Sequence, residues 1–170
     1  MNTPPRTRQV ANRNGTLADE LRIIRRTLNA LRIPWALSGS MATKLHANSL
    51  GISPHRIPND IDIVVRPQNA DLVMMTLAGI GYTSNSPPPV RFRHVKLRHG
   101  RFSIDVLAAG GNLAPNITKN DVVVINKTPV VKIRHLIARK NSSMRNFMTN
   151  AERNVAQGNL NFLRRLRSHI

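Results

Sequence analysis

Residues 37–65 read LSGSMATKLHANSLGISPHRIPNDIDIVV, and the fold turns on how this stretch is read. An apolar segment runs into Ser38, Gly39 and Ser40; a helical segment follows, then a loop holding Pro54 and Pro58, then the run DIDIVV, whose β-branched content predicts a buried strand. Strand side chains alternate, so Asp60 and Asp62 fall on one face. The chain has only eight acidic residues against twenty-six Lys and Arg. Two carboxylates that close raise each other's pKa unless a cation lies between them.

Outward from this stretch the pattern predicts one mixed α/β domain. Residues 1–15 are polar and Arg-bearing and read as a basic arm. Leu17, Leu21, Ile24, Leu28 and Leu31 recur at helical spacing, with Thr16 as N-cap, Asp19 in the first turn and Pro34 as the stop. WAL at 35–37 reads as a short buried strand, and a helix is predicted from Met41 to about Ala47. Another is predicted from Pro67 to Gly79 or Gly81, with Met74 and Met75 in the core. VRFRHVKL at 90–97 and RFSIDVLA at 101–108 form a predicted hairpin, and DVVVINKTPVVKI at 121–133 supplies two more short strands around Asn126-Lys127-Thr128. From about Arg134 the chain reads as helices, with Leu160, Leu163 and Leu166 packed and Arg164, Arg165 and Arg167 outward. The reading divides the chain into an arm, a core over 16–133 and a helical segment over 134–170 packed on that core.

Composition narrows the chemistry. The chain has no Cys, which excludes disulfides, zinc-thiolate sites and thiol nucleophiles together. No apolar run reaches the length of a membrane span and the first residues lack the apolar core of a secretory signal, so the expectation is a cytoplasmic protein with no membrane partner. A formal charge of +18, mostly arginine, points to a polyanionic partner. The six His residues are scattered without metal-site spacing; His94 and His99 flank the predicted hairpin and read as strand decoration.

Asp105, in FSIDVL, lies mid-strand among apolar neighbours, where an unpaired charge is costly. If its strand lies beside DIDIVV, the three acids meet. Such a set suits Mg²⁺, which takes hard oxygen ligands together with substrate phosphates. The plain alternative for a lone D-x-D is a pair of strand-end acids satisfied by arginines. The small-residue turn at Ser38-Gly39-Ser40 favours the first reading, because a strand-to-helix junction aims backbone N–H groups at a phosphate.

The order Gly-Ser, helix, Arg, D-I-D on a strand and a later Asp on another strand resembles the nucleotidyltransferase superfamily related to DNA polymerase beta. Within it, LSGSMATKLHA and HRIPNDIDIVV are most similar to small bacterial abortive-infection and toxin-antitoxin enzymes. The resemblance covers about residues 35–107, with a fainter echo in VKIRHLIARK. It implies the minimal nucleotidyltransferase fold: a mixed twisted sheet flanked by helices. By the same resemblance, Ser38, Gly39 and Ser40 would bind the NTP phosphates. Asp60 and Asp62 would hold two Mg²⁺ ions, with Mn²⁺ as the alternative. Asp105 would complete that set and assist deprotonation of the attacking hydroxyl. Arg56 would contact phosphate or lock its loop, and Lys140 would face the nucleotide.

Charge then selects the acceptor. A chain at +18 repels polycations such as aminoglycosides and attracts RNA, so the expected acceptor is tRNA or another RNA, in a toxin-like role. A protein hydroxyl is the alternative acceptor, and an acidic antitoxin a fitting partner. From a different class, a non-catalytic RNA-binding protein on a degenerate version of the fold also fits the charge. A metal-dependent nuclease fits less well, since it needs no triphosphate cradle.

Overall fold

Thr16 starts the first helix by a reciprocal cap: its hydroxyl accepts from Asp19 N at 3.2 Å, and Asp19 Oδ2 accepts from Thr16 N at 2.9 Å. In this computed structural model, which describes residues 15–84, 94–110, 114, 116–146 and 149–170, helix α1 runs Leu17–Ala30 and buries Leu21, Ile24 and Leu28. It ends before Pro34, because the chain turns through Arg32 in the left-handed region at φ 53. Leu31 is therefore 57% exposed, not part of the packed stripe.

The remaining elements are β1 (Trp35–Ser38), α2 (Gly39–Ser49), β2 (Ile61–Val65), a 3₁₀ turn at Pro67–Asn69, α3 (Ala70–Gly79), β3 (Thr83–Ser84), β4 (His94–His99), β5 (Phe102–Ala108), β6 (Val122–Ile125), β7 (Thr128–Val131), α4 (Ile133–Asn146) and α5 (Asn150–Arg167). The strands form one sheet in the order β3-β4-β5-β2-β1-β7-β6. Pairing is mixed: β2 runs parallel to β5 and antiparallel to β1, while β1 runs parallel to β7. The expected mixed α/β sheet flanked by helices is therefore present, with hairpins at β4–β5 and β6–β7.

Several local expectations are corrected. Helix α2 starts at Gly39, two residues before Met41, so the strand passes directly into the helix. Strand β2 starts at Ile61 and leaves Asp60 in the bend just ahead of it. Met75 is 73% exposed, since α3 turns only Ala70, Val73 and Leu77 fully inward. The predicted arm up to residue 14, the predicted SNSPPP turn (84–89) beyond Ser84, which lies in β3, and the first part of the predicted hairpin strand, 90–93, lie outside the described residues.

The main core lies between sheet and helices, and Ile24, Leu28, Leu37, Ile61, Ile63, Leu77, Ile104 and Leu166 within it are fully buried. Leu160, Leu163 and Leu166 pack inward from α5 while Arg164, Arg165 and Arg167 stay exposed, as the spacing predicted. Two hairpin features locate strain. Asn126 and Lys127 both have positive φ, 49 and 63, the geometry of a two-residue type I′ turn that favours glycine second. Lys127 is exposed, so Lys127→Gly is expected to raise stability by about 0.5 kcal/mol, relief of left-handed strain outweighing the extra freedom of the unfolded chain. Chemical denaturation checks this, and an unchanged or lower midpoint would refute it.

Candidate active site

The pairing register lines up four polar residues across the sheet. Ser38 on β1 lies opposite Asp62 on β2, Asp62 opposite Asp105 on β5, and Asp105 opposite Lys96 on β4. Neighbouring strands are about 4.8 Å apart, so these residues form one short row. Asp62 and Asp105 are buried, at 8% and 9% exposure. Asp60 joins them from the preceding bend: burial chiefly, then the charges of Asp62 and Asp105, push its pKa above the usual carboxylate value, while Lys96 and Arg56 pull the other way. The structure thus brings together the three acids singled out in the sequence.

Basic side chains already hold two of them. Arg139, on α4, donates from Nη2 to Asp62 Oδ1 at 2.7 Å and from Nη1 to Ser38 Oγ at 3.1 Å. His94 Nε2 lies 2.7 Å from Asp105 Oδ1, and Lys96 Nζ lies 3.8 Å from Asp105 Oδ2. Hydrogen bonds to charged groups of this kind keep the buried carboxylates satisfied.

Gly39 is the tightest point. Its φ is +64, and a Cβ built there would fall 1.7 Å from Asp62 Oδ2. Only glycine lets the backbone at the start of α2 approach the acid so closely. Beside it, Ser40 Oγ is buried and has no hydrogen-bond partner among the described residues. A buried hydroxyl without a partner at a helix N-terminus suits a phosphate oxygen.

These residues line a cleft of about 310 Å³ with Gly39, Ser40, Asp60, Asp62 and Asp105 on the sheet side and Arg139, Lys140, Asn159 and Phe162 on the side of α4 and α5. Arg56 also lines it, exposed, from the loop between α2 and β2. Lys140 is half-buried; its pKa is lowered, first by burial and then by the neighbouring charges of Arg139 and Arg56. Ser38 sits behind this wall and is reached through Arg139. Seven of the eight residues named from the sequence line this cleft, and the eighth, Ser38, touches it only through Arg139.

Arg139 and His94 are the residues that sequence reasoning missed. Arg139 precedes Lys140 in IARK, and the basic doublet was the available signal; His94 read only as strand decoration. A divalent cation suits the donor set, which consists of hard carboxylate oxygens. Among the described residues, however, no group of three or more acidic or His side chains is gathered as a ready metal centre, and Arg139 holds one oxygen of Asp62. Among the described residues no helix is long and apolar enough to cross a membrane.

No family model and no curated protein matches the sequence. Solved structures do match in fold. The lincosamide antibiotic adenylyltransferase LnuA, in its lincomycin-bound structure, superposes with a TM-score of 0.60 at 16% identity, over 90% of this chain and 99% of that one. The antibiotic-resistance factor ANT(2'')-Ia gives 0.55 at 13% identity, over 89% and 90% of the two chains. An antigenic nucleotidyltransferase-like protein from Paracoccidioides brasiliensis gives 0.54 at 17%, over 86% and 76%.

Proposed function

We propose that this chain, whose fold is that of nucleotidyltransferases, transfers a nucleoside monophosphate from an NTP to an acceptor hydroxyl. The observation that carries the reading is the meeting, in one cleft, of a glycine-tight helix N-terminus, an unpartnered buried Ser40 hydroxyl and three carboxylates.

The acceptor oxygen attacks the α-phosphorus, the bond to the bridging oxygen breaks, and pyrophosphate leaves with the electron pair. Gly39 and Ser40 present donors to the triphosphate at the start of α2, while Arg56, Arg139 and Lys140 line the same cleft with positive charge. Asp105 takes the hydroxyl proton; His94, 2.7 Å from its Oδ1, orients that carboxylate. Asp60, Asp62 and Asp105 would hold Mg²⁺, which when bound supplies neutralisation of the phosphate charge and activation of the hydroxyl.

Charge favours RNA as acceptor. At a net +18, the chain exposes Arg22 and Arg26 on α1 and Arg153, Arg164, Arg165 and Arg167 on α5, and each neutralised phosphate releases counterions. A toxin-like enzyme acting on tRNA, held in check by an acidic partner, is the form of this reading that uses the charge most fully; a protein hydroxyl is the second acceptor. The test is incubation with Mg²⁺, total tRNA and each α-labelled NTP, with Asp60→Ala plus Asp62→Ala as control. Label on RNA that depends on the acids is expected. Label on a protein would change the acceptor; no label anywhere, with no NTP bound by calorimetry, would overturn the enzyme reading.

One observation favours a second reading, a non-catalytic RNA-binding protein. Arg139, His94 and Lys96 already satisfy Asp62 and Asp105 without any ligand. Under that reading the double acid variant keeps RNA affinity and nothing else is lost.

A further inference from the structure

The loop that brings Arg56 to the cleft also brings His55, whose ring stacks on Phe162 of α5 at 5.6 Å between centroids and 26° between planes. Both rings line the cleft. Gly158 lies under the same histidine: a Cβ there would sit 3.4 Å from His55 Nε2, so the ring edge rests against a helix position that carries no side chain. A glycine inside an exposed helix costs about 1 kcal/mol relative to alanine, and here the bare position is where the imidazole lies. Among the described residues His55 makes no hydrogen bond or ion pair; the ring contact is what holds it. His55 is exposed and Phe162, on which it stacks, is half-buried; both line the cleft.

A flat ring pair on the wall of a cleft that also holds carboxylates and basic groups suits a flat, charged ligand. Offset stacking suits a nucleobase, and Asn159, which also lines this wall, offers both a donor and an acceptor for a base edge. Arg56, the next residue in the chain, lines the same cleft, and its charge is felt at Asp60 and at Lys140. Neighbouring residues therefore divide the ligand: Arg56 the phosphate side, His55 the base side. The chain has few rings to spare for this, with one Trp, one Tyr and four Phe, and Trp35 and Tyr82 are buried in the core.

We infer that His55, backed by Phe162, is a nucleobase-stacking platform on the α5 wall of the cleft. This rests on the proposed nucleotidyl transfer, in which two bases approach the site: that of the donor NTP and that of the acceptor nucleotide. Three probes separate the sources when titrated against the full chain in Mg²⁺: ATP, inorganic tripolyphosphate, and a short single-stranded RNA.

His55→Ala is expected to weaken binding of ATP, if the donor base stacks, or of the RNA, if the acceptor base does, by about tenfold. Tripolyphosphate, which has no base, should bind unchanged, and His55→Phe should restore affinity. Equal weakening of tripolyphosphate would show that the ring pair merely holds the loop, and would overturn the inference. So would unchanged affinity for both ATP and RNA, or failure of the aromatic variant to rescue. A parent protein that binds ATP and transfers label while His55→Ala loses nothing would sink this platform alone. A parent that binds none of the four NTPs and transfers no label would remove the nucleotidyl-transfer reading, and this inference with it.

Discussion

Gly39→Ala is expected to lower the proposed nucleotidyl transfer by about a hundredfold or more and to destabilise the fold by about 2–3 kcal/mol. Two independent costs converge on this position. The backbone is left-handed, at φ +64, and the new methyl would overlap Asp62 Oδ2, 1.7 Å away. Asp62 cannot yield freely, because Arg139 holds its other oxygen at 2.7 Å and the side chain is buried. Either the acid swings away from the row with Asp105 or the start of α2 moves; both displace phosphate donors relative to the carboxylates. Label transfer together with thermal unfolding checks this. A variant within tenfold of the parent would mean that the close approach of Gly39 to Asp62 does not position the chemistry.

Asp62→Ala is expected to reduce transfer by roughly a thousandfold, and its effect on folding separates the two roles of the acid. Removing the carboxylate leaves Arg139 without its charged partner, with only the Ser38 hydroxyl still bonded; because that guanidinium is partly exposed, at 20% of the side chain, the cost is about 1–3 kcal/mol and not the full penalty of a buried orphan charge. Adding Arg139→Ala to Asp62→Ala should recover part of the lost stability, since the unpaired cation goes too, while activity stays lost. If the double variant regained transfer, the acid would be a structural partner of Arg139 and nothing more. If Asp62→Ala alone kept full transfer, the carboxylate row would have no part in the reaction.

Much of this architecture was legible in residue order. The β-branched run around Asp62 declared a buried strand, the Leu17 to Leu28 stripe and the Thr16–Asp19 cap declared α1, and Asp105 stood out as a charge among apolar neighbours. Ser38-Gly39-Ser40 was legible as a junction because small residues cluster where backbone must approach a ligand. What stayed hidden depended on long-range contact. Nothing local shows that Arg139 reaches across to Asp62, since 77 residues separate them. His94 looked like strand decoration because its partner, Asp105, is fixed only once β4 pairs with β5. The end of α1 was misplaced for a related reason: Pro34 was the visible stop, but Arg32 in the left-handed region closes the helix first.

The register of the sheet has a consequence for how such a protein can diversify. Ser38, Asp62 and Asp105 are locked together by strand pairing, whereas His55 and Arg56 ride on the segment between α2, which ends at Ser49, and β2, which begins at Ile61. Doubling the length of a flexible connection costs only about 0.6 kcal/mol. Insertions or exchanges in that segment therefore leave the carboxylate row in place while rewriting what the cleft admits. What the cleft admits can thus change through a single connection while the carboxylate row on the sheet stays where it is.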